Sequence, residues 1–179
     1  MTKTAVEYGS ALYDLAEEIG KADLFLAQLR EIRELFRQNP DYAKLLSSHA
    51  LTKAQRLSAL DKVFSSAAEP YLLNFMKILC ENGTIRELPD CIREYELRYN
   101  DAHGIAEVTA VTAVPLSREL EDKLLAKLEA VTGKRVLLSL SVDPAMLGGV
   151  RLSFDGQELD GTVRRQLDEL RAQLLHMTL

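Results

Sequence analysis

Hydrophobic residues in the first hundred positions recur three and four residues apart, the spacing of one face of an α-helix. They form six successive runs, with stop or start signals at Gly20, Asn39-Pro40, Thr52, Pro70 and Asn82-Gly83. This pattern predicts six consecutive helices. The fifth run, residues 71–81, is apolar almost all round, which is typical of a helix that is central or contacted from outside its own bundle.

Three short segments match the capping box, in which a hydroxyl and a Glu or Gln side chain satisfy two free backbone N–H groups at a helix start. They begin at Thr4, Thr52 and Thr84 and end at Glu7, Gln55 and Glu87. We expect a helix to begin at each, with the first turn after Thr84 distorted by Pro89.

After Gly104 the hydrophobic period changes to the alternation of a β-strand. Residues 105–114, 136–142 and 150–154 alternate in this way, and a helix from Ser117 to Gly133 separates the first two. Asp155-Gly156 is a hairpin-type turn, and Asp160-Gly161-Thr162 is expected to open a last helix. The predicted order is strand, helix, strand, strand, helix.

Aromatic residues and glycines change in frequency at the same place. Ten of the eleven Phe and Tyr residues precede residue 100, and six of the nine glycines follow residue 103. The chain is therefore predicted to be mainly α, with an N-terminal six-helix bundle over residues 1–104 and a small α/β domain over residues 105–179.

The charge balance and the hydropathy restrict the possible functions. With 22 basic and 27 acidic residues the net charge is −5, which disfavours a phosphate-backbone binder. A nucleic-acid-binding platform on the α/β domain stays open as an alternative, although Phe154 is its one aromatic side chain. No apolar run approaches the length of a membrane span, and the N-terminus has no apolar core of the signal-peptide kind. We expect a soluble chain that reaches a membrane only through a partner.

Local motifs suggest no catalytic, cofactor or metal site. His49, His103 and His176 are far apart, Cys80 and Cys91 are predicted to be two buried thiols, and no phosphate-cradling loop is present. Gly148-Gly149 precedes a strand and predicts a backbone that needs positive φ. A small hydrolase is a third hypothesis, although the sequence shows no nucleophile paired with a base. An adaptor that joins two partners fits the residues best.

Four stretches resemble the delta subunit family of bacterial F-type ATP synthase, which includes the mitochondrial oligomycin-sensitivity-conferring protein. They are residues 8–16 on the first helix, 79–89 around Asn82-Gly83, 142–150 with Asp143-Pro144 and Gly148-Gly149, and 159–170 with Asp160-Gly161-Thr162. Departures are mild, since Thr84 stands where Arg is common and Thr162 where Ser is common.

The resemblance implies a non-catalytic subunit of the peripheral stalk, or stator. Such a subunit would link the catalytic head to the membrane-anchored b subunits and resist rotor torque during rotational ATP synthesis. One copy per complex would lie at the cytoplasmic face of the bacterial cell membrane, held there only indirectly, with no cofactor, metal or nucleic acid.

The resemblance also implies two docking sites. The N-terminal helix of an alpha subunit would lie between the first and fifth helices, at Tyr8, Ala11, Leu12, Leu15, Tyr71, Leu72, Phe75 and Leu79. The C-terminal end of the b subunits would meet the second domain, with its site shaped by Gly148, Gly149, Asp160, Gly161, Arg164 and Leu167. On this basis Leu12→Asp or Phe75→Asp is expected to release the head without unfolding the chain.

Overall fold

A computed structural model describes residues 2–48, 50–154 and 157–162 of the chain. The chain divides into two compact units, the first ending at Tyr99 and the second beginning at Asn100. In the described residues the fold is mainly helical with a small four-stranded sheet, which confirms the predicted class at that level.

The helices of the first unit follow one another in the predicted order. They are α1 (Lys3–Glu18), α2 (Ala22–Gln38), α3 (Pro40–Leu46), α4 (Lys53–Phe64), α5 (Pro70–Glu81) and α6 (Leu88–Ala102), with a 3₁₀ turn at Ile85–Glu87 before α6. The last residues of α6 belong to the second unit. The boundary that the sequence predicts, after residue 104, coincides with the change from helix to strand and not with this division.

One apolar core holds the first unit together. Phe25, Leu29, Met76 and Tyr95 are among its largest fully buried side chains, and the Tyr95 hydroxyl donates to the carbonyl oxygen of Ala22 at 2.9 Å. Burial of a residue of this size contributes about 1.5–3 kcal/mol. Burial of the Tyr95 hydroxyl does not offset this gain, because the hydroxyl retains a hydrogen-bond partner.

The three predicted capping boxes have different outcomes. The box at Thr52 is confirmed, with both reciprocal hydrogen bonds to Gln55 present. The box at Thr4 is wrong, because α1 begins two residues earlier than a Thr4 cap requires, and Thr2 caps it by accepting the N–H of Ala5 at 3.1 Å.

The box at Thr84 is also wrong, since the Thr84 side chain donates back to the carbonyl of Leu79 at 3.3 Å. The cause is Pro89, which has no N–H to bond the carbonyl of Ile85 and so cannot lie inside a helix that starts there. The chain makes a short 3₁₀ turn and restarts as α6 at Leu88, which places Pro89 in the first helical turn, where it is tolerated.

The second unit is a mixed sheet with one crossover helix. Its described elements are β1 (Ile105–Thr112), α7 (Arg118–Thr132), β2 (Arg135–Val142), β3 (Gly149–Phe154) and β4 (Gln157–Thr162). The strand order is β2-β1-β3-β4, with β1 and β2 parallel through α7 and the other neighbours antiparallel. Gly133 ends α7 at φ 65°, as its position predicts.

The predicted start of the last helix at Asp160-Gly161-Thr162 is wrong, because these residues lie in β4. Phe154 pairs with Gln157 and Gly149 with Thr162, so the whole segment is held by the β3 ladder. At Gly161 an added Cβ would lie 3.1 Å from the carbonyl oxygen of Val150, so the two strands approach closely there. The rest of the predicted helix lies outside the described residues.

Candidate partner-binding surfaces

Contacts at both ends join α1 to α5. Near the start of α1, the ring of Tyr8 meets that of Phe75 edge-on with centroids 6.4 Å apart, and the amide of Asn82 donates to the Tyr8 hydroxyl at 2.9 Å. Just beyond the other end of α1, Lys21 forms an ion pair with Glu69, the residue that precedes α5. The two helices therefore lie side by side in opposite directions, and the surface between them is called here the α1–α5 groove.

The eight residues predicted for this groove divide into a floor and a rim. Leu12, Leu72, Leu79 and Phe75 are buried and form the floor. Tyr8, Ala11, Leu15 and Tyr71 line the rim, where Tyr8 and Leu15 are half-buried and the other two are exposed.

This division corrects one expectation. Leu12 is 4% and Phe75 8% exposed, so an Asp at either position would bury an unpaired charge in the core. Such variants cannot separate release of a partner from unfolding. Substitutions at the exposed rim positions avoid the problem because those side chains already face solvent.

Two rim positions on α5 are missing from the predicted set. Asn74 is exposed, and so is Ile78 at 39%. With Tyr71, which is 47% exposed, they lie at helical spacings of three and seven residues along one stripe of α5. That spacing is readable from the sequence, but it does not by itself tell which stripe of α5 is buried.

An acidic stripe runs along the exposed face of α1 through Ala11. Glu7, Ala11, Asp14 and Glu18 are exposed and follow the same helical stripe. Among the described residues, Glu7 pairs with the highly exposed Lys3 at 3.6 Å, and Asp14 is 3.7 Å from Arg98. Exposed pairs of this kind contribute little to stability, which leaves the stripe available to cations on a partner.

The second predicted site is partly assembled by the β3–β4 hairpin. Gly149 pairs with Thr162, Val150 with Gly161 and Arg151 with Asp160, so Gly149, Asp160 and Gly161 come together at the open end of the hairpin. Both Gly148 and Gly149 have positive φ, at 148° and 87°, which confirms the backbone interpretation of that pair. Arg164 and Leu167 lie outside the described residues.

The described side chains form no grouping typical of a catalytic or metal centre. No three His, Cys, Asp or Glu residues cluster in the described part of the chain. Cys80 and Cys91 are free and buried, as predicted, and burial raises the pKa of the Cys91 thiol to about 12. Among the helices that the structure describes, none combines the length and the hydrophobicity needed to cross a bilayer.

Comparison with known proteins agrees with an interaction protein. The family model for the ATP synthase delta (OSCP) subunit matches residues 4–174. The ATP synthase subunit delta of Lactiplantibacillus plantarum is 34% identical over 173 residues, covering 96% of this chain and 95% of the relative. That of Leuconostoc citreum is 33% identical over 172 residues, with the same coverage.

The fold has a counterpart among solved structures. A chain in the Toxoplasma gondii mitochondrial ATP synthase hexamer superposes with a TM-score of 0.71 at 23% identity, covering 97% of this chain and 98% of that one. At that identity the match speaks for the fold. The nucleic-acid-binding alternative gains no support from any of these matches.

Proposed function

We propose that this chain, which belongs to the ATP synthase delta (OSCP) subunit family, ties the catalytic head of the enzyme to its membrane-anchored b subunits through two separate surfaces. As a member of that family it is a non-catalytic subunit of the peripheral stalk of F-type ATP synthase. Its work is attachment, which resists the torque that the rotor applies to the head during rotational ATP synthesis.

The α1–α5 groove is the proposed site for the N-terminal helix of an alpha subunit. The observation that carries this proposal is the exposed pair Tyr71 and Ile78 beside the half-buried Tyr8 and Leu15. An amphipathic helix binds such a groove through apolar anchors spaced three, four and seven residues apart. A nanomolar complex needs about 12 kcal/mol, which a few fully desolvated anchors and about 800 Å² per partner can supply.

The acidic stripe on α1 adds a requirement on the partner. A helix that carries Lys or Arg beside its apolar anchors would complement Glu7, Asp14 and Glu18. Because these carboxylates are exposed, their contribution is screened by salt and acts mainly on the association rate. We therefore expect binding to weaken moderately, not to disappear, as the salt concentration rises.

The open end of the β3–β4 hairpin is the proposed site for the C-terminal end of the b subunits. Gly148 and Gly149 shape the entry to β3, with Asp160 and Gly161 beside them on β4. Arg164 and Leu167 remain sequence-based candidates for the same site. One copy per complex, held at the cytoplasmic face of the bacterial membrane through b, completes the proposal.

The decisive experiment on the groove uses rim residues whose replacement leaves the core intact. Tyr71→Ser and Ile78→Ser are titrated with a peptide that covers the N-terminal helix of the alpha subunit from the same organism. Each loses the burial of one large side chain, about 1.5–3 kcal/mol, and so should weaken binding roughly tenfold to a hundredfold. Leu45→Ser on α3, also exposed, is the matched control and should bind as the unmodified chain does.

The experiment on the b site compares two glycines with similar backbone strain. Gly149 and Gly133 both have positive φ, at 87° and 65°, so replacement by Ala should cost each about 1–2 kcal/mol of stability. Capture of the b subunits should fall only for Gly149→Ala. Equal capture by both variants would remove the hairpin end from the proposal, while native mass spectrometry of the whole complex checks the single copy.

A further inference from the structure

The outer edge of β2 carries backbone groups that point away from the sheet. The N–H of Arg135 donates to Gly104 and that of Asp143 to Thr112, each at 2.8 Å and each toward the β1 side. Because the N–H and C=O groups of successive strand residues point to opposite edges, the odd-numbered residues of β2 bond β1 and the even-numbered ones face outward. Leu138, Leu140 and Val142 thus present three N–H and three C=O groups at the outer edge of the described sheet.

Along this edge the first outward N–H has a hydrogen-bond partner, and the outward groups after it have none among the described residues. The first outward N–H, that of Val136, donates to Oε1 of Glu129 on α7 at 3.2 Å. No hydrogen bond within the described residues engages the next three outward groups. The register with β1 is unbroken from Arg135 to Val142, so no bulge interrupts the edge.

The side chains of β2 do little to block pairing with another strand. Natural edge strands are usually protected by charges, prolines or bulges. After Arg135 the strand reads Val-Leu-Leu-Ser-Leu-Ser-Val, and Leu140 and Val142 are 41% and 45% exposed. An apolar edge of this length is a template for a further strand.

A groove between α7 and β2 runs beside this edge, and acidic side chains in its lining make it negatively charged. It has a volume of about 330 Å³, with Leu125, Leu138 and Leu140 on its apolar surface and Glu121 and Asp122 on its wall. Neither carboxylate has an ion pair in the part of the chain that the structure describes. An incoming segment would meet apolar side chains and negative charge in the same groove.

We propose that the β2 edge binds an extended segment of another protein chain, which adds as a strand with one apolar face and flanking Lys or Arg residues. Main-chain hydrogen bonds to Leu138, Leu140 and Val142 would hold it, as in β-strand addition, and its cations would meet Glu121 and Asp122. A second copy of this chain fits less well, because paired β2 edges would bring like carboxylates together. The sheet order places this edge opposite β4, so the inference goes beyond the proposed function and does not depend on it.

The test uses the full chain and a designed peptide as the probe. The capped octapeptide Lys-Val-Thr-Val-Thr-Val-Thr-Lys should bind and slow amide hydrogen exchange at least tenfold at Leu138, Leu140 and Val142. The amide of Val136, already bonded to Glu129, should change little. The same peptide with alternate backbone nitrogens methylated, and a version with Glu in place of both Lys residues, should bind at least tenfold more weakly.

Two kinds of variant separate edge pairing from general adhesion. Leu140→Pro removes an outward N–H while leaving the β1 ladder its donors, and should weaken the peptide at least tenfold with an unchanged far-ultraviolet circular dichroism spectrum. If that variant does not fold, the double variant Glu121→Lys with Asp122→Lys should reverse the preference from the Lys peptide to the Glu peptide. Glu119→Lys, on α7 outside the lining of the groove, is the matched control and should bind normally.

Several outcomes would overturn the proposal. These are the absence of binding by the Lys peptide, equal binding of the methylated peptide, and hydrogen-exchange protection away from β2. A dimer in sedimentation with the edge amides already protected would assign the edge to a second copy instead. Binding of the alpha-subunit peptide is measured in parallel, because it should be unaffected by every β2 and α7 variant.

Discussion

In the part of the chain that the structure describes, the two units bury their apolar residues to very different extents. In the first unit, twenty-three buried residues form a single cluster. In the described part of the second unit, the cluster consists of Ala106, Val108 and Val136, with five partly buried neighbours. The contrast repeats at the level of single helices, since α5 has five buried residues and α7 has none.

This difference shows how stability and surface are divided. The first unit has a core large enough to be stable in its own right, and its proposed docking site is a narrow stripe above that core. The described part of the second unit is held mainly by strand pairing, and large side chains such as Val114 and Leu147 are exposed there. We therefore expect core substitutions in the first unit to lower the free energy of unfolding. Surface substitutions in the second unit should affect binding and leave that free energy nearly unchanged.

The largest expected effect is that of Leu12→Asp. An unpaired carboxylate in the core of the first unit should cost about 4 kcal/mol or more and unfold that unit at ambient temperature. Leu147→Asp, at a position 70% exposed in the second unit, should change the free energy of unfolding by less than about 0.5 kcal/mol. Urea unfolding followed by circular dichroism measures both, and a native-like Leu12→Asp protein would contradict the contrast.

Alkaline pH should also act on the first unit, because all six tyrosines precede residue 100. Burial raises the pKa of Tyr42 to about 12 and also raises that of Tyr95. A group with a higher pKa in the folded state than in the unfolded chain contributes its full stability below the unfolded value of 10.0 and loses it as the pH rises toward 12.

The measurement is the free energy of unfolding across that pH range. It should fall steadily above about pH 10, with tyrosinate absorbance appearing together with unfolding. Tyr42→Phe should make the fall shallower, because one of the protons that the folded state holds more tightly is then missing. An identical pH profile for the variant would show that Tyr42 is not a contributor.

A smaller effect is expected from the ion pairs of Glu96. This nearly buried residue on α6 accepts from Nε of Arg30 at 2.9 Å and from a terminal nitrogen of Arg33 at 2.5 Å. Glu96→Ala leaves both cations without this partner and should cost about 1–3 kcal/mol. Glu34→Ala, which breaks the largely exposed contact with Arg37, should have little effect on the melting temperature.

The smallest effect compares a helix start in each unit. Thr52 caps α4 with its side chain, so Thr52→Ala should cost about 1 kcal/mol. Ser117 occupies the same position before α7 but its side chain makes no capping hydrogen bond, so Ser117→Ala should cost less than about 0.3 kcal/mol. Thermal unfolding of the two variants decides, and equal losses would mean that the Ser117 hydroxyl caps α7 in solution.

The sequence predicted the helices well where a stripe of apolar residues and a stop signal agreed, as between Phe25 and Asn39-Pro40. It failed where tertiary pairing overrode a local signal. Asp160-Gly161-Thr162 has the composition of a helix start, yet the segment pairs antiparallel with β3, and this backbone pairing outweighs one potential cap. The polar β4 segment offered no alternation that could have announced a strand.

For the candidate sites, the sequence identified the right helices but not the depth of each side chain. Leu72 and Tyr71 are neighbours and equally apolar in pattern, yet one is fully buried and the other nearly half exposed. Which side of α5 faces the core depends on where α1 and α4 lie, and periodicity within α5 alone does not contain that information. The open β2 edge was missed because it depends on strand order, which local pattern does not determine.

The contacts at the two ends of the α1–α5 groove have a consequence for selectivity. The Asn82–Tyr8 hydrogen bond holds one end and the Lys21–Glu69 ion pair the other, while a close-packed floor prevents the walls from moving inward. We therefore expect the width of the groove to stay nearly constant when a partner binds. If a helix binds there as proposed, a smaller side chain would leave a void that the walls do not fill and a larger one would meet a barrier. We therefore expect the groove to select helices by the volume of their anchors as well as by their polarity.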